Sequence, residues 1–514
     1  MKIIRELSKI ITPKRTKHVN LLSFNLKTDS KLMQLYEGVK SGRFESDEEA
    51  IISLYGSLEH KYKYSKLKYD LRKRLYNTIH LVELEAETFD DDIKTTIECQ
   101  KVWTSVKFLI SAKAFQSAID ILEKYFPKML KYELTSMTIE GARILRKCYS
   151  TFALDVKKQQ YYDLLLKDYL SLYAAEVEID GYYNHLMSMY AEDKSPKKEV
   201  ASIATNYLEA LDAVYPKVVS STFISLYKLI EIIKYMSQYD YMKTIEICDD
   251  AIETLRARKV RRKIYLMLIY SQAIACHLQL KEYETAEQKC LETLNNHLKE
   301  GEFNWFKIKE LQLQNSIYSA SYQRAYLIYL DSINHKSFKR LPSTFKEEWR
   351  IYSAYLEILI FMNLISRNDT NEHSRFRVNK FLNEVPVFSK DKKGRNITIL
   401  IAQLVLFVVK ERYNKVINKM EAIEKYVSRH LKKDYHHRTI IFIKIIRLFV
   451  KAGFERRMMD WEKLEILNQE LSEKPLNIIN PNYDAEIIRY EKLVEFVVAC
   501  VRSENTIKVN KMQI

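Results

Sequence analysis

The sequence predicts an all-α fold in which helical hairpins stack into a solenoid, with a small helical module near the N-terminus. Only 8 Gly and 8 Pro occur among 514 residues, too few for the many turns of a strand-rich fold. Apolar residues make up 47% of the chain and charged residues 29%, which suffices for a packed core with solvated faces. A pattern that recurs about every 40 residues then indicates repeated hairpins.

The recurring pattern is an aromatic or aliphatic residue followed by small or apolar residues at positions +3, +7 and +10. It is clearest from Tyr241 and returns from Tyr283 and Tyr322. These spacings place the side chains on one face of a helix, and a small residue at +3 lets a partner helix approach closely. Each copy follows another apolar helix, and such a hairpin buries both faces only by stacking on its neighbours. Weaker copies begin at Phe115, Tyr162, Val200 and Tyr413.

Residues 270–294, "YSQAIACHLQLKEYETAEQKCLETL", resemble a tetratricopeptide repeat. Tyr283 takes the aromatic position that opens the second helix, Ala286 the small position after it, and Cys290 the bulky position that follows. Similar matches extend over about residues 115–423. The resemblance implies a right-handed superhelix in which the first helices line a concave groove that holds a peptide or a partner helix.

The repeats depart from the family pattern in several places. Ile274 stands where the first helix usually has glycine, and Thr293 where the second usually has alanine. The closing proline is absent, and the period exceeds the family's roughly 34 residues. We therefore expect degenerate repeats with longer helices.

The chain is predicted to contain five parts. Within the last part, a helical pair should cover about residues 435–471, and a helix over 485–503 should cap the open end. A short helix should end before Pro386 in the fourth part. The parts are a basic segment (1–24), a basic helical module (25–90), the tetratricopeptide-like repeats (91–365), a polar and basic joint (366–396), and C-terminal repeats with the capping helix (397–514).

Several features predict a cytoplasmic protein. The most apolar runs, 398–409 and 440–450, are too short to span about 30 Å of hydrocarbon. The N-terminal sequence "MKIIRELSKIITPKRTKH" is interrupted by charges and lacks a small-residue cleavage site, so we expect no secretory signal. The six cysteines form no CxxC pair and fall mostly in apolar helical stretches, as reduced core thiols do.

Motifs for catalysis or cofactor binding do not occur in the sequence. GxxxxGK[ST], GxGxxG, GxSxG and HExxH are all missing. His430, His436 and His437 lie among lysines and one aspartate rather than among further zinc ligands. The acids at 90–92 open a helix, where they oppose its dipole. We therefore expect a non-enzymatic protein with no metal and no cofactor.

The positive charge clusters at particular connections. The formal net charge of +16 favours acidic partners, nucleic acid or anionic membrane. Three basic clusters fall between the second helix of one repeat and the first helix of the next, so a solenoid would align them along one edge. This basic edge suits phosphates or an acidic protein face; alternatively, its cations serve solubility and complement helix C-termini. Its residues are Arg256, Arg258, Lys259, Arg261, Arg262, Lys263, Lys336, Lys339, Arg340, Arg429, Lys432 and Lys433.

Residues 46–75 predict a pair of helices. Ser46 and Glu49 form a capping box for the first helix, which Gly56 ends. The second should start near Ser65 and run to about Glu85. Its buried stripe should comprise Leu67, Leu71, Leu75, Ile79 and Val82.

The outer face of that second helix suggests a nucleic-acid contact. Lys66, Arg72, Lys73 and Asn77 lie outside the buried stripe, as on a recognition helix in a major groove. The pair resembles the DNA-contacting helices of bacterial regulators that precede tetratricopeptide-like repeats. However, the connection 57–64 is longer than usual for a helix-turn-helix, and so is the second helix.

Two functions remain open at the level of sequence. The favoured one is a scaffold or adaptor that binds a protein or peptide segment in its groove, with the basic edge for an acidic partner. The alternative is a transcriptional regulator in which the N-terminal module binds DNA and the solenoid senses a peptide or protein.

Overall fold

The computed structural model confirms the predicted all-α class. Its described residues form α-helices and short 3-10 helices, with no β-strand among them. The described residues are 4, 30–44, 46–79, 91–191, 197–215, 218, 220–258, 260, 262–367, 378–383, 395–430, 437–474 and 486–501.

The chain forms two compact units, Met1–Tyr173 and Ala174–Ile514. Helix α7 (Val156–Ala191) contributes residues to both. The other helices of unit 1 are α1 (Lys31–Lys40), α2 (Asp47–Tyr55), α3 (Lys61–Ile79), α4 (Asp91–Ser111), α5 (Phe115–Lys131) and α6 (Thr135–Thr151). Those of unit 2 are α8 (Lys197–Val214), α9 (Ser221–Ser237), α10 (Tyr241–Ala257), α11 (Lys263–Gln279), α12 (Tyr283–His297), α13 (Phe303–Tyr318), α14 (Tyr322–Asn334), α15 (Ser343–Phe361), α16 (Val378–Asn383), α17 (Arg395–Val409), α18 (Tyr413–His430), α19 (His437–Lys451), α20 (Trp461–Glu473) and α21 (Tyr490–Ala499).

Unit 1 contains two separate apolar clusters. The first joins α1, α2 and α3, with Leu35, Leu71 and Leu75 fully buried. The second joins α4, α5, α6 and the start of α7, around Leu122 and Leu145. The N-terminal module therefore has a small core of its own.

Unit 2 is a row of helical hairpins, and this solenoid-like arrangement agrees with the predicted fold class. Each of α9, α11, α13, α17 and α19 is the first helix of a hairpin and packs on the second helix that follows it. First helices of successive hairpins also touch, as α9 does α11 and α11 does α13, and α15 makes a contact of the same kind with α17. One continuous apolar cluster runs through the unit.

The helix starts coincide with the aromatic residues of the recurring pattern. Helices α10, α12 and α14 begin at Tyr241, Tyr283 and Tyr322, and α5 and α18 begin at Phe115 and Tyr413. The weaker copies at residues 162 and 200 fall inside α7 and α8 instead of at their starts. No proline interrupts α7, so it continues for 36 residues.

The small residues of the pattern are buried between helices, as expected. Ala286, Cys290 and Thr293 of α12 are all fully buried. The Thr293 hydroxyl donates a hydrogen bond of 2.6 Å to the Lys289 carbonyl, so a polar side chain is satisfied at a position where the family has alanine.

The turns inside the hairpins explain how so few glycines suffice. Helix α11 ends at Gln279, and Glu282 then donates its backbone N–H to the His277 carbonyl at 2.9 Å, as in a Schellman motif. The turn residue Lys281 has φ of 62°, in the left-handed region that usually favours glycine. Equivalent non-glycine residues with φ between 55° and 61° are Lys113, Tyr239, Ala320 and Glu411.

Helix α3 and the last helix, which was predicted over 485–503, differ in extent from their predicted bounds, whereas the short helix before Pro386 is present as predicted. Helix α3 begins at Lys61 rather than near Ser65, because a 3-10 turn, Leu58–His60, leads directly into it. Val82 lies outside the described residues. The short helix before Pro386 is α16, within the predicted joint. The last helix, α21, contacts α17 as well as α19 and α20, so it does more than cover the end of the row.

Candidate functional site

A groove opens on the first helices of unit 2. It forms a cavity of about 430 Å³ between α11, α13 and α15. Ile264, Leu268 and Phe303 line it and are 66%, 38% and 46% exposed. Since Ile264 and Phe303 stand at the starts of α11 and α13, the groove reaches the end of the hairpins where the inter-repeat connections enter.

Three charged side chains lie in the wall of this groove. Lys307 Nζ is 3.1 Å from a carboxylate oxygen of Glu310 and 3.4 Å from one of Glu348. Burial by itself would lower the pKa of Lys307, but the two carboxylates hold it above its ordinary value. With two carboxylates for one ammonium, this triad is net negative although the chain as a whole is positive.

The C-terminal segment 486–489 closes one side of the groove through its backbone. Gln314 donates from Nε2 to the carbonyls of Glu486 and Ile487, at 3.3 and 3.1 Å. The Tyr318 hydroxyl also donates to the Glu486 carbonyl, at 2.6 Å. Side chains of α13 thus bind the backbone of a peptide segment that is remote in sequence.

Arg489 anchors the same segment through aromatic rings. Its guanidinium lies 5.0 Å from the ring centroid of Tyr318 and 5.9 Å from that of Tyr283. It also donates a 2.5 Å hydrogen bond to the Tyr283 hydroxyl. These contacts combine cation–π attraction with a charge-assisted hydrogen bond.

A buried ion-pair network holds the segment on its other side. Arg438 donates from Nε to Glu486 at 2.6 Å and from Nη2 to Glu491 at 2.8 Å. It also donates from Nη1 to the Leu471 and Lys474 carbonyls at the end of α20. Burial by itself would lower the pKa of Arg438, but the two glutamates raise it, so the guanidinium stays charged.

Arg256 of the basic edge lies among charges of both signs. Its Nη2 donates to Glu292 at 2.5 Å, and it lines a cavity of about 360 Å³. Asp249, Glu253 and Lys289 line the same cavity. The surroundings of Arg256 are therefore not a uniformly basic surface.

Other members of the first basic cluster also contact neighbouring helices. Arg258 Nε donates to Ser221 at 2.7 Å. Arg262 Nε donates to Thr222 at 3.2 Å, and Lys263 pairs with Glu302 at 3.3 Å. This cluster therefore joins adjacent hairpins in addition to carrying charge.

The described members of the second basic cluster face solvent. Lys336, Lys339 and Arg340 are exposed in the connection between α14 and α15. Arg429 belongs to α18, although its side chain is not described. Lys259, Arg261, Lys432 and Lys433 lie outside the described residues.

The predicted nucleic-acid residues of α3 do not all share one face. Lys66, Lys73 and Asn77 are exposed, at spacings that place them on a single helical stripe. Arg72 is half-buried and displaced from that stripe, with its guanidinium 6.0 Å from the ring centroid of Tyr69.

The thiols agree with the predicted core role. All six cysteines are free, and five are buried. Burial raises the pKa of Cys276 to about 12, so this thiol is protonated at neutral pH. Within the described ranges, no group of three or more His, Cys, Asp or Glu side chains is arranged to hold a metal ion. Of His430, His436 and His437, only His437 has a described side chain, and it is exposed at the start of α19.

The sequence analysis did not identify several of the residues that line the groove. Lys307 and Glu348 are 41 residues apart, which is one repeat, so a search for opposite charges at equivalent positions would have paired them. Gln314 and Glu486 are 172 residues apart, and no local periodicity links them.

Comparisons of the chain with protein-family models, with curated proteins and with solved structures give no match. The tetratricopeptide-like character of the hairpins therefore stays a prediction from sequence. In the part of the chain that the structure describes, no helix has both the length and the apolar character needed to cross a membrane.

Proposed function

We propose that this chain is a non-enzymatic adaptor that binds a segment of a protein partner in the groove formed by α11, α13 and α15. The observation that carries the proposal is the way α13 holds residues 486–489. Gln314 and Tyr318 donate to backbone carbonyls there, and backbone recognition of this kind suits peptides of varied sequence.

The open part of the groove favours a partner segment of particular chemistry. Ile264, Leu268 and Phe303 offer apolar contact area, while the triad of Lys307, Glu310 and Glu348 adds a net negative charge. A segment with an apolar anchor beside a lysine or arginine is complementary to both features.

The solvent-facing basic cluster would act on the same partner at longer range. Lys336, Lys339 and Arg340 lie in the connection that enters α15. The groove reaches that end of the hairpins, so acidic residues flanking the bound segment would be attracted there. The free thiols are consistent with a cytoplasmic location, which we also propose.

A peptide-display selection tests the groove. Random peptides displayed on phage are selected against the full chain and then against the double variant Ile264→Arg/Leu268→Arg. We expect peptides selected on the unaltered chain to lose binding to this variant, because two charged side chains would block the apolar wall.

The matched control is Leu291→Arg/Leu327→Arg, which alters exposed leucines on the second helices α12 and α14. It should retain the selected peptides. Failure to enrich any peptide, or equal loss with both double variants, would reject the groove as the binding site.

A second measurement tests the basic cluster. In the triple variant Lys336→Gln/Lys339→Gln/Arg340→Gln, we expect slower association with a selected acidic-flanked peptide and a weaker dependence of the association rate on ionic strength. Dissociation should change little, since rim charges act mainly on the encounter. The variant Lys444→Gln/Lys451→Gln/Lys463→Gln removes the same charge elsewhere in unit 2 and should leave the salt dependence unchanged.

A further inference from the structure

Helix α3 carries an exposed stripe in which tyrosines and lysines alternate. Tyr62, Lys66, Tyr69, Lys73 and Tyr76 follow one another at spacings of four, three, four and three residues. These spacings keep all five side chains on one face, over a length of about 21 Å. The three tyrosines are 84%, 56% and 47% exposed. We call this face the Tyr–Lys stripe.

Positive charge surrounds the stripe. Helix α3 contains seven lysines and arginines and a single acid, Asp70. Only Lys68 among these cations pairs with a described carboxylate, that of Asp47 at 2.7 Å. The other six are Lys61, Lys63, Lys66, Arg72, Lys73 and Arg74, and none of them forms an ion pair with a carboxylate of the residues that the structure describes.

The opposite face of α3 fixes the stripe in place. Leu71 and Leu75 are fully buried in the core of the module, and the Tyr64 hydroxyl donates to Asp47 at 2.7 Å. The exposed rings therefore project from a helix that the module holds rigidly, and ordering them costs little conformational entropy.

We propose that the Tyr–Lys stripe binds single-stranded nucleic acid, with the tyrosine rings stacking on unpaired bases and the lysines contacting phosphates. This inference is independent of the proposed adaptor function. Aromatic rings interleaved with cations are the combination that single-strand binding uses, because every base has a face for stacking and every linkage has a charge.

Duplex recognition fits the stripe less well. Paired bases are already stacked on their neighbours, so the exposed tyrosines would find no base face in a major groove. Sequence readout there uses arginine or lysine on guanine and asparagine or glutamine on adenine, and gives tyrosine no comparable role. Lys66, Lys73 and Asn77 on this face could take part in such readout, but the three exposed tyrosines beside them could not.

An anionic membrane also fits less well. Helices that lie in a membrane interface bury leucine, phenylalanine or tryptophan. On α3 the large apolar side chains that are exposed are Tyr62, Tyr69 and Tyr76. Their hydroxyls would have to be desolvated for the rings to enter the acyl region.

Fluorescence anisotropy with the full chain tests the proposal. The probe is a labelled oligothymidylate of about 16 nucleotides, compared with a duplex of the same length. We expect the single strand to bind at least about tenfold more tightly than the duplex at low salt. Equal or tighter binding of the duplex, or no binding of the single strand, would overturn the proposal.

Two triple variants separate stacking from mere apolar contact. Tyr62→Leu/Tyr69→Leu/Tyr76→Leu keeps apolar surface but removes the aromatic rings, and it should weaken binding by at least about tenfold. Tyr62→Phe/Tyr69→Phe/Tyr76→Phe keeps the rings and should bind within about twofold of the unaltered chain. If the leucine variant binds as tightly as the phenylalanine variant, stacking is not the mechanism.

Charge variants and vesicles complete the test. Lys66→Gln/Lys73→Gln should lower the slope of log affinity against log salt by about 0.7 for each phosphate that a lysine no longer neutralises. The control Lys124→Gln/Lys157→Gln removes two exposed lysines elsewhere in unit 1 and should not change the slope. The alternative outcome is that the chain does not bind the oligonucleotide but cosediments with phosphatidylserine vesicles, and that this cosedimentation requires the three tyrosines. That result would assign the stripe to membrane binding instead.

Discussion

Arg438 is buried although its guanidinium is charged, and every one of its partners helps to explain why. Its side chain is 3% exposed and that of Glu486 is 0% exposed. A charge held out of water is tolerated only when it is paired and its donors are satisfied. Here two carboxylates and two backbone carbonyls accept from one side chain, and together they join α19, α20 and the C-terminal segment.

Removing only one member of the buried ion pair between Arg438 and Glu486 should be strongly destabilising. In Arg438→Leu, the Glu486 carboxylate stays buried without its cation, and we expect unit 2 to lose about 3–5 kcal/mol of unfolding free energy. Urea denaturation followed by circular dichroism measures the loss.

The control for this prediction is an exposed ion pair on the same helix. Arg447 pairs with Glu424 at 3.2 Å and is 56% exposed, so Arg447→Leu should cost less than about 1 kcal/mol. The double variant Arg438→Met/Glu486→Met should recover most of the stability, because the fully buried carboxylate is removed together with its cation and the remaining partner, Glu491, is 29% exposed. Equal losses for Arg438→Leu and Arg447→Leu would contradict a structural role for the buried network.

At the scale of the element, the turns inside the hairpins were not predicted, because ordinary residues take the left-handed position where glycine is usual. Ala320 follows the end of α13 at φ of 58°, a conformation that costs an L-residue roughly 1 kcal/mol. Replacing Ala320 with glycine removes this strain from the folded state. Part of the gain in stability is lost again, because glycine increases the conformational entropy of the unfolded chain.

We therefore expect Ala320→Gly to stabilise unit 2 by about 0.5–1 kcal/mol. The matched control is Ala174→Gly, at an exposed position inside α7, which should lose about 1 kcal/mol. Thermal unfolding of the two variants against the unaltered chain distinguishes them. The turn assignment would be wrong if both substitutions lowered the melting temperature.

The elements that sequence reasoning predicted well are those set by local pattern. An aromatic residue followed by small residues at fixed spacing marks the starts of α10, α12 and α14, because close packing against the preceding helix requires those sizes. The extent of α7 was not predicted, because the pattern at residue 162 marks a packing face and not a helix end. The start of α3 was misplaced because the 3-10 turn before it contains ordinary residues.

The candidate groove was predicted in kind but not in detail. First helices were expected to line it, and the first helices α11 and α13 do so together with α15. The closure by residues 486–489 was not foreseen, because Gln314 and Tyr318 meet a segment more than 160 residues away in sequence. Contacts between residues so far apart in sequence depend on how the hairpins stack on one another. The sequence of a single hairpin does not determine that stacking.

At the scale of the whole molecule, the buried apolar residues that the structure describes form three separate clusters. One holds α1, α2 and α3, a second holds α4, α5, α6 and the start of α7, and the third runs through unit 2. Stacked hairpins are stabilised by their neighbours, so a disturbance in one cluster should fade over a few elements. Cooperativity over the entire chain is therefore not expected.

Hydrogen exchange measured by mass spectrometry tests this division. Leu71 and Leu404 are both fully buried, in the module and in α17 respectively. Each leucine-to-alanine change should cost its own cluster about 2–5 kcal/mol. Leu71→Ala should accelerate exchange in peptides from α1, α2 and α3 and leave α17 protected, whereas Leu404→Ala should do the reverse, since exchange reports local opening. Uniform acceleration of exchange along the chain with either variant would contradict this division. It would indicate that the whole chain unfolds as a single cooperative unit.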